Sequence, residues 1–149
     1  MQVSLNSAEL RAVLADIGAT PGSVDALLTG LDETALHAAS ADGRSCHDIV
    51  RELVQVSGHL GTVAHDVLGH IPGAAPARPS EPPTTAMLQE QLRFLREHIV
   101  STVDQQGASV WSTPTPAGRQ LSAYAVDVQQ RDRALLIDLQ HAADTARAL

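Results

Sequence analysis

From Leu121 to the C-terminus an apolar stripe runs through Leu121, Tyr124, Val128, Leu135, Leu139, Ala142, Ala146 and Leu149, at steps of three and four with one double step of seven. That spacing follows the 3.6-residue turn of an α-helix and leaves no room for the strict alternation of a strand. The same steps put Arg131 in the middle of the apolar stripe. A guanidinium keeps its charge in a protein, and its burial costs on the order of several kcal/mol, so Arg131 needs a carboxylate inside the fold or an escape to water.

Three other segments carry helical stripes. Asn6 with Glu9 forms a capping-box start for Leu10, Val13, Leu14 and Ile17. Gly18 then ends or bends the segment, and Thr20-Pro21 reads as an N-cap with proline at the first helical position before Val24, Leu27, Leu28 and Leu31, so the first helix is expected in two pieces. Ser45 and Asp48 offer a second capping box, followed by Ile49, Leu53, Val56, Leu60, Val63 and Val67. Gly58 and Gly61 predict a bend or a close helix crossing in that second helix, and Pro72-Gly73 stops it. A third helix is expected from Thr85 to Gln106, with Leu88, Leu92, Leu95, Ile99 and Val103 as its core face and Gly107 as its stop.

Residues Pro72 to Pro83 hold five of the eight prolines, and no packed element can be built from that composition. The reading is a long Pro/Ala-rich connection between helices 2 and 3, with the order of helix connections left open. Trp111 to Gly118 reads as an ordered turn before the last helix. The expectation is thus an all-α four-helix bundle, a single domain over residues 1–149, a length sufficient for one core without staples.

Charge and composition exclude several functions. A net charge of −7, from 17 acidic against 10 basic residues, gives no basic face for nucleic acid or an anionic membrane. The single cysteine, Cys46, excludes an internal disulfide. No apolar run approaches a membrane span, and the N-terminus lacks the pattern of a signal peptide, so a cytoplasmic location is expected.

Specific residues carry a resemblance to a known family: Thr20-Pro21 through Leu27-Leu28-Thr29-Gly30-Leu31, then Gly43-Arg44-Ser45-Cys46-His47-Asp48-Ile49-Val50, then Trp111 with Pro116, Gly118 and Leu121, and finally Arg131-Asp132-Arg133-Ala134-Leu135-Leu136. In order and separation these motifs resemble the DinB-like bundles, which include mycothiol- and bacillithiol-dependent transferases. Arg44 stands where that family often has tryptophan. The resemblance implies a homodimer and a divalent-metal site with one ligand on the second helix and two on the fourth. Here the corresponding positions are Glu52, Arg131 and Leu135. Leucine offers no lone pair and arginine brings positive charge where the cation would sit, so the metal site reads as degenerate and no cofactor is expected.

The expected consequence is that Glu52 and Arg131 project from facing helices into one cavity as a charge-assisted pair, with His59 and Asp132 as further cavity-lining candidates. The alternative is that Arg131 snorkels outward and pairs with Asp127 one turn earlier. The functional reading is a non-catalytic binding or interaction module that dimerises through a bundle face; a third reading, beside the enzyme alternative, is a ligand carrier whose emptied cavity holds a small anion against Arg131. The alternative is a divalent-metal-dependent thiol transferase or hydrolase that uses Glu52 with Asp132 or nearby histidines as atypical ligands.

The other candidates read as bland. Asp66 and His70 could hold one edge of an ion beside His65, but a histidine near a helix C-terminus also simply complements the dipole. His37, His47, His98 and His141 show no partners at a recognisable spacing. A thiolate at Cys46 would be favoured by the helix dipole, but His47 next to it points about 100° away, and a small helix-start residue is the simpler role. No nucleophile elbow or phosphate-binding glycine loop is present.

Overall fold

The computed structural model describes residues 7–68, 82–106, 111 and 120–149. They form helices α1 (Ser7–Leu28), α2 (Glu33–Leu36), α3 (Cys46–Leu68), α4 (Thr85–Gln106) and α5 (Leu121–Arg147), with no strand among the described residues. Asn6, Gly107, most of the Pro72–Pro83 connection, the turn after Trp111 and His70 lie outside the described residues, as do the side chains of Val63, His65, Asp66, Val67 and Val103. Within the described residues no helix is long and apolar enough to cross a membrane.

The four long helices pack in a ring: α1 and α3 each lie against both α4 and α5, and the short α2 rests on α5. Contacts fix their directions. Asp16 meets Arg133 and Leu27 meets Arg147, so α1 and α5 run the same way. His47 meets Thr85 and Ser57 meets Arg96, so α3 and α4 also run together. Arg44 meets Asp138 and Glu52 meets Arg131, which sets α3 against α5. Parallel neighbours joined in sequence need a connection that returns the length of a helix, and the long stretch between α3 and α4 supplies that reach.

Local chemistry explains the ends. Ser45 and Asp48 form a reciprocal capping box at the start of α3: Asp48 N–H donates to Ser45 Oγ at 3.1 Å and Ser45 N–H to Asp48 Oδ2 at 3.0 Å. Asp32 caps α2 by accepting from Ala35 N–H at 2.8 Å. Gly30 and Gly43 take the left-handed conformation, with φ of 84° and 85°, at the turns on either side of α2.

The interior is two apolar clusters with a polar layer between them. One contains Val24, Leu53, Leu92 and Leu135, and the other Ile17, Leu60, Ile99 and Val128. Between them, one residue from each long helix meets at the axis: Thr20, Ser57, Arg96 and Asp132, exposed by 2%, 0%, 0% and 3%. Arg96 makes a two-pronged ion pair with Asp132, its Nη2 lying 2.8 Å from Oδ1 and its Nη1 bonded to Oδ2. Arg96 Nε donates to Ser57 Oγ at 2.7 Å, and the Thr20 hydroxyl donates to Asp132 Oδ2 at 2.8 Å.

Three sequence expectations are overturned. The charged residue buried on α5 is Asp132, whereas Arg131 is a surface residue with a side chain 61% exposed. Leu149, expected to finish the stripe, is 85% exposed. The first helix is one element that runs through Gly18 and Pro21 without a break. Proline lacks the N–H that would reach the carbonyl four residues back, that of Ile17. Arg96 Nη1 donates to this carbonyl at 3.2 Å, so the break in the ladder is repaired by a side chain from α4.

The close helix crossing is also displaced. A Cβ added at Gly58 or Gly61 would meet nothing within 4 Å, whereas one at Gly18 would lie 3.1 Å from Val100 Cγ2. The backbone of α1 therefore approaches α4 at Gly18, and α3 has no such requirement at its two glycines.

Candidate functional site

A groove of about 880 Å³ opens between α3 and α5. Its floor is apolar, from Val56, Leu60 and Val128, and its walls carry both signs of charge: Arg44, Arg51 and Arg131 against Asp48, Glu52 and Asp127. The i, i+3 and i+4 rule explains the α3 wall, because Asp48, Glu52, Gln55 and His59 follow one helix face. At one end His59 meets the edge of Tyr124, with ring centroids 6.2 Å apart.

Glu52 sits at the centre of the charged wall and is held by two guanidiniums. Arg44 Nη1 donates to Oε2 at 3.0 Å and Arg131 Nη2 to Oε1 at 3.3 Å. Arg44 also bonds Asp138 on α5 and Asp42 in the preceding turn. The Asp138 contact is the first cause of its proton being held more tightly than that of a free guanidinium, outweighing partial burial. Arg51 pairs with Asp48 at 3.2 Å, one turn away on its own helix.

The residues singled out from the sequence thus divide into three groups. Glu52, Arg131 and His59 line the groove. Leu135 does not: it is buried in one of the apolar clusters. Asp132 turns instead toward Arg96 and Thr20 and borders a separate cleft of about 250 Å³ between α1 and α5. The Glu52–Arg131 contact forms, but at the rim and not in a buried cavity. Arg44, which fastens Glu52 to α5, was missed as a site residue because its partners lie eight and ninety-four positions away.

A second constellation lies where α2, α3 and α4 begin. Glu33 and His37 are four residues apart on α2 and its cap, and His37 Nε2 donates to Glu33 Oε1 at 2.8 Å. The same oxygen accepts the backbone N–H of Thr85 at 3.0 Å and its hydroxyl at 3.1 Å. His47 Nδ1 lies 2.8 Å from Thr85 Oγ1, and the rings of His37 and His47 stack with centroids 4.1 Å apart. Sequence reading gave these two histidines no partners; the signal present was the i, i+4 spacing of Glu33 and His37, while His47 joins only through the fold.

Electrostatics differ within this group. Burial of His47, and next the charge of His37, hold its pKa below that of a free imidazole, against the pull of Glu33. Burial pushes Glu33 upward, but hydrogen bonds from the Thr85 backbone, His37 and the Thr85 hydroxyl outweigh it, and its carboxyl ends below the usual range. Next to His47, Cys46 is fully buried, and that burial raises its thiol pKa; it is a core residue of the first turn and not a thiolate nucleophile.

Compared with known proteins, the chain matches no family model, no curated protein and no solved structure.

Proposed function

We propose that the chain is a DinB-like four-helix bundle acting as a non-catalytic binding module, whose groove between α3 and α5 takes a small ligand bearing a carboxylate. The observation that carries this reading is the state of Glu52. Of the three positions the resemblance assigns to a metal, it alone has a ligating atom, and both its oxygens are engaged by guanidiniums. Leu135 is in the core and Arg131 is cationic, so the residues present do not fit a divalent ion there. Nor does Asp132 complete an atypical set with Glu52, because both of its oxygens are bonded to Arg96.

The ligand class follows from how weakly Arg131 is held. Its contact with Glu52 is single, 3.3 Å long and exposed, the kind of pair worth about 0–1 kcal/mol. A ligand carboxylate that accepts both prongs of the guanidinium makes a stronger contact, while Val56, Leu60 and Val128 receive its apolar part. Homodimerisation belongs to the same reading, with the apolar face of Leu27, Leu136 and Ile137 between α1 and α5 as the seat of the second copy.

The test is calorimetric titration of small mono- and dicarboxylates. Saturable binding is expected, abolished by Arg131→Ala and kept by Arg133→Ala, whose side chain pairs with Asp16 on the other side of α5. Absence of binding by every carboxylate, or equal loss in both variants, would refute the module as described. A metal whose retention depends on Glu52 would favour the enzyme alternative.

A further inference from the structure

The groove leaves the constellation at the helix starts without a role. Glu33, His37 and His47 each offer one ligand atom, and these atoms all lie within 4.8 Å of one another. We propose that these three residues form a binding site for a single borderline divalent cation, zinc foremost, at the junction of α2, α3 and α4.

Three features of the fold point to such an ion. Two imidazoles and one carboxylate are a donor set that zinc accepts, with a fourth position left for water. Tetrahedral zinc with bonds of about 2.0–2.1 Å needs its ligand atoms roughly 3.4 Å apart. Glu33 Oε1 stands 2.8 Å from His37 Nε2 and 4.0 Å from His47 Nδ1, on either side of that value. Moreover, all the hydrogen bonds to Glu33 fall on Oε1, so Oε2 is without a partner among the described residues. Thr85 sits on the ligating atoms themselves: its hydroxyl donates to Glu33 Oε1 and lies 2.8 Å from His47 Nδ1, so the ion takes that nitrogen in exchange for the Thr85 contact.

Closure requires His47 Nδ1 to give up its Thr85 contact and its proton, and one side chain to move. The stacked rings, 26° apart in plane, cannot both aim a lone pair at one ion, so His37 must turn out of the stack. Its side chain is 49% exposed, which leaves it room to do so, whereas His47, 9% exposed, stays fixed. The ion then replaces the proton that His37 now shares with Glu33, so binding releases a proton and weakens in acid. The other groups facing His47 are Arg51 and Asp48 on its own helix, and their opposite charges already pair with each other. Glu33 and His37 come from α2 and Thr85 from α4.

The experiment is titration of zinc chloride into chelator-stripped, tag-free protein, followed by calorimetry, with cobalt(II) absorption to read the geometry. One ion per chain is expected, at least tenfold weaker for Glu33→Gln, His37→Asn and His47→Gln. Binding unchanged by Glu52→Gln and by the joint change His65→Gln/His70→Gln is part of the same expectation. No saturable binding, or loss in the His65/His70 variant with retention in His37→Asn, would overturn the site. Should His47→Gln fail to fold, His37→Asn decides, because that side chain is at the surface.

Discussion

Replacing Arg96 with methionine removes the charge at the centre of the polar layer while keeping much of the side chain's volume. Asp132 then remains 3% exposed with only the Thr20 hydroxyl as partner, and stranding one member of a buried pair costs about 3–5 kcal/mol. The Ile17 carbonyl, already without its helical donor because of Pro21, becomes a buried unsatisfied acceptor, a penalty of about 1–3 kcal/mol. Since the two losses share one side chain they do not simply add, and a total of about 4–6 kcal/mol is expected, a large part of the 5–15 kcal/mol typical of a domain. Urea unfolding followed by helical circular dichroism and by the fluorescence of Trp111, 1% exposed, reads this loss. The diagnostic step is Pro21→Ala, which restores an N–H beneath Ile17. Its gain should be at least about 1 kcal/mol larger in the Arg96→Met background than in the parent protein. A loss below about 1 kcal/mol for Arg96→Met, or no coupling between the two positions, would refute the account of the layer.

Three further outcomes are expected. Gly58→Ala should stabilise the chain by about 0.5–1 kcal/mol, since the new methyl meets nothing within 4 Å, while Gly18→Ala should fall short of that gain because Val100 stands 3.1 Å away; matched urea midpoints compare them. Ser45→Ala should lower stability by about 1 kcal/mol through loss of the α3 capping box, with Ser45→Asn recovering most of it. His47 is held neutral in the fold, so the unfolded chain binds the extra proton: its contribution is complete above about pH 6.5 and fades as pH falls below that value. Glu33, whose folded pKa is depressed, gives the same direction at lower pH, with support lost as the carboxyl protonates. Melting temperatures between pH 7 and 4 should therefore decline less steeply in His47→Gln, and equal slopes would refute that burial argument.

The residues of α3 and α4 show what could be read in advance. The Ser45–Asp48 box set the start of α3, and the run from Thr85 to Gln106 forms α4 within those bounds, because caps and stripes act within a few residues of one another. The candidate groove was legible in part: Glu52, His59 and Arg131 lie along helix faces that their spacing defines. Arg44 was not legible as a site residue, nor was His47, since what gives each its place is a residue on another helix.

Sequence by itself determined an all-helical chain with long amphipathic segments, because a period of 3.6 is a local property that neighbouring turns enforce. Which of two adjacent positions faces the axis was a different matter. Between Val128 and Leu135 the steps run equally well through Arg131, three and then four, or through Asp132, four and then three. On α4 the choice between Leu95 and Arg96 is the same. Only the tertiary structure decided both, because a charge enters the core when an opposite charge on a facing helix meets it there: Arg96 and Asp132 buried each other, and Arg131 was turned out to the groove.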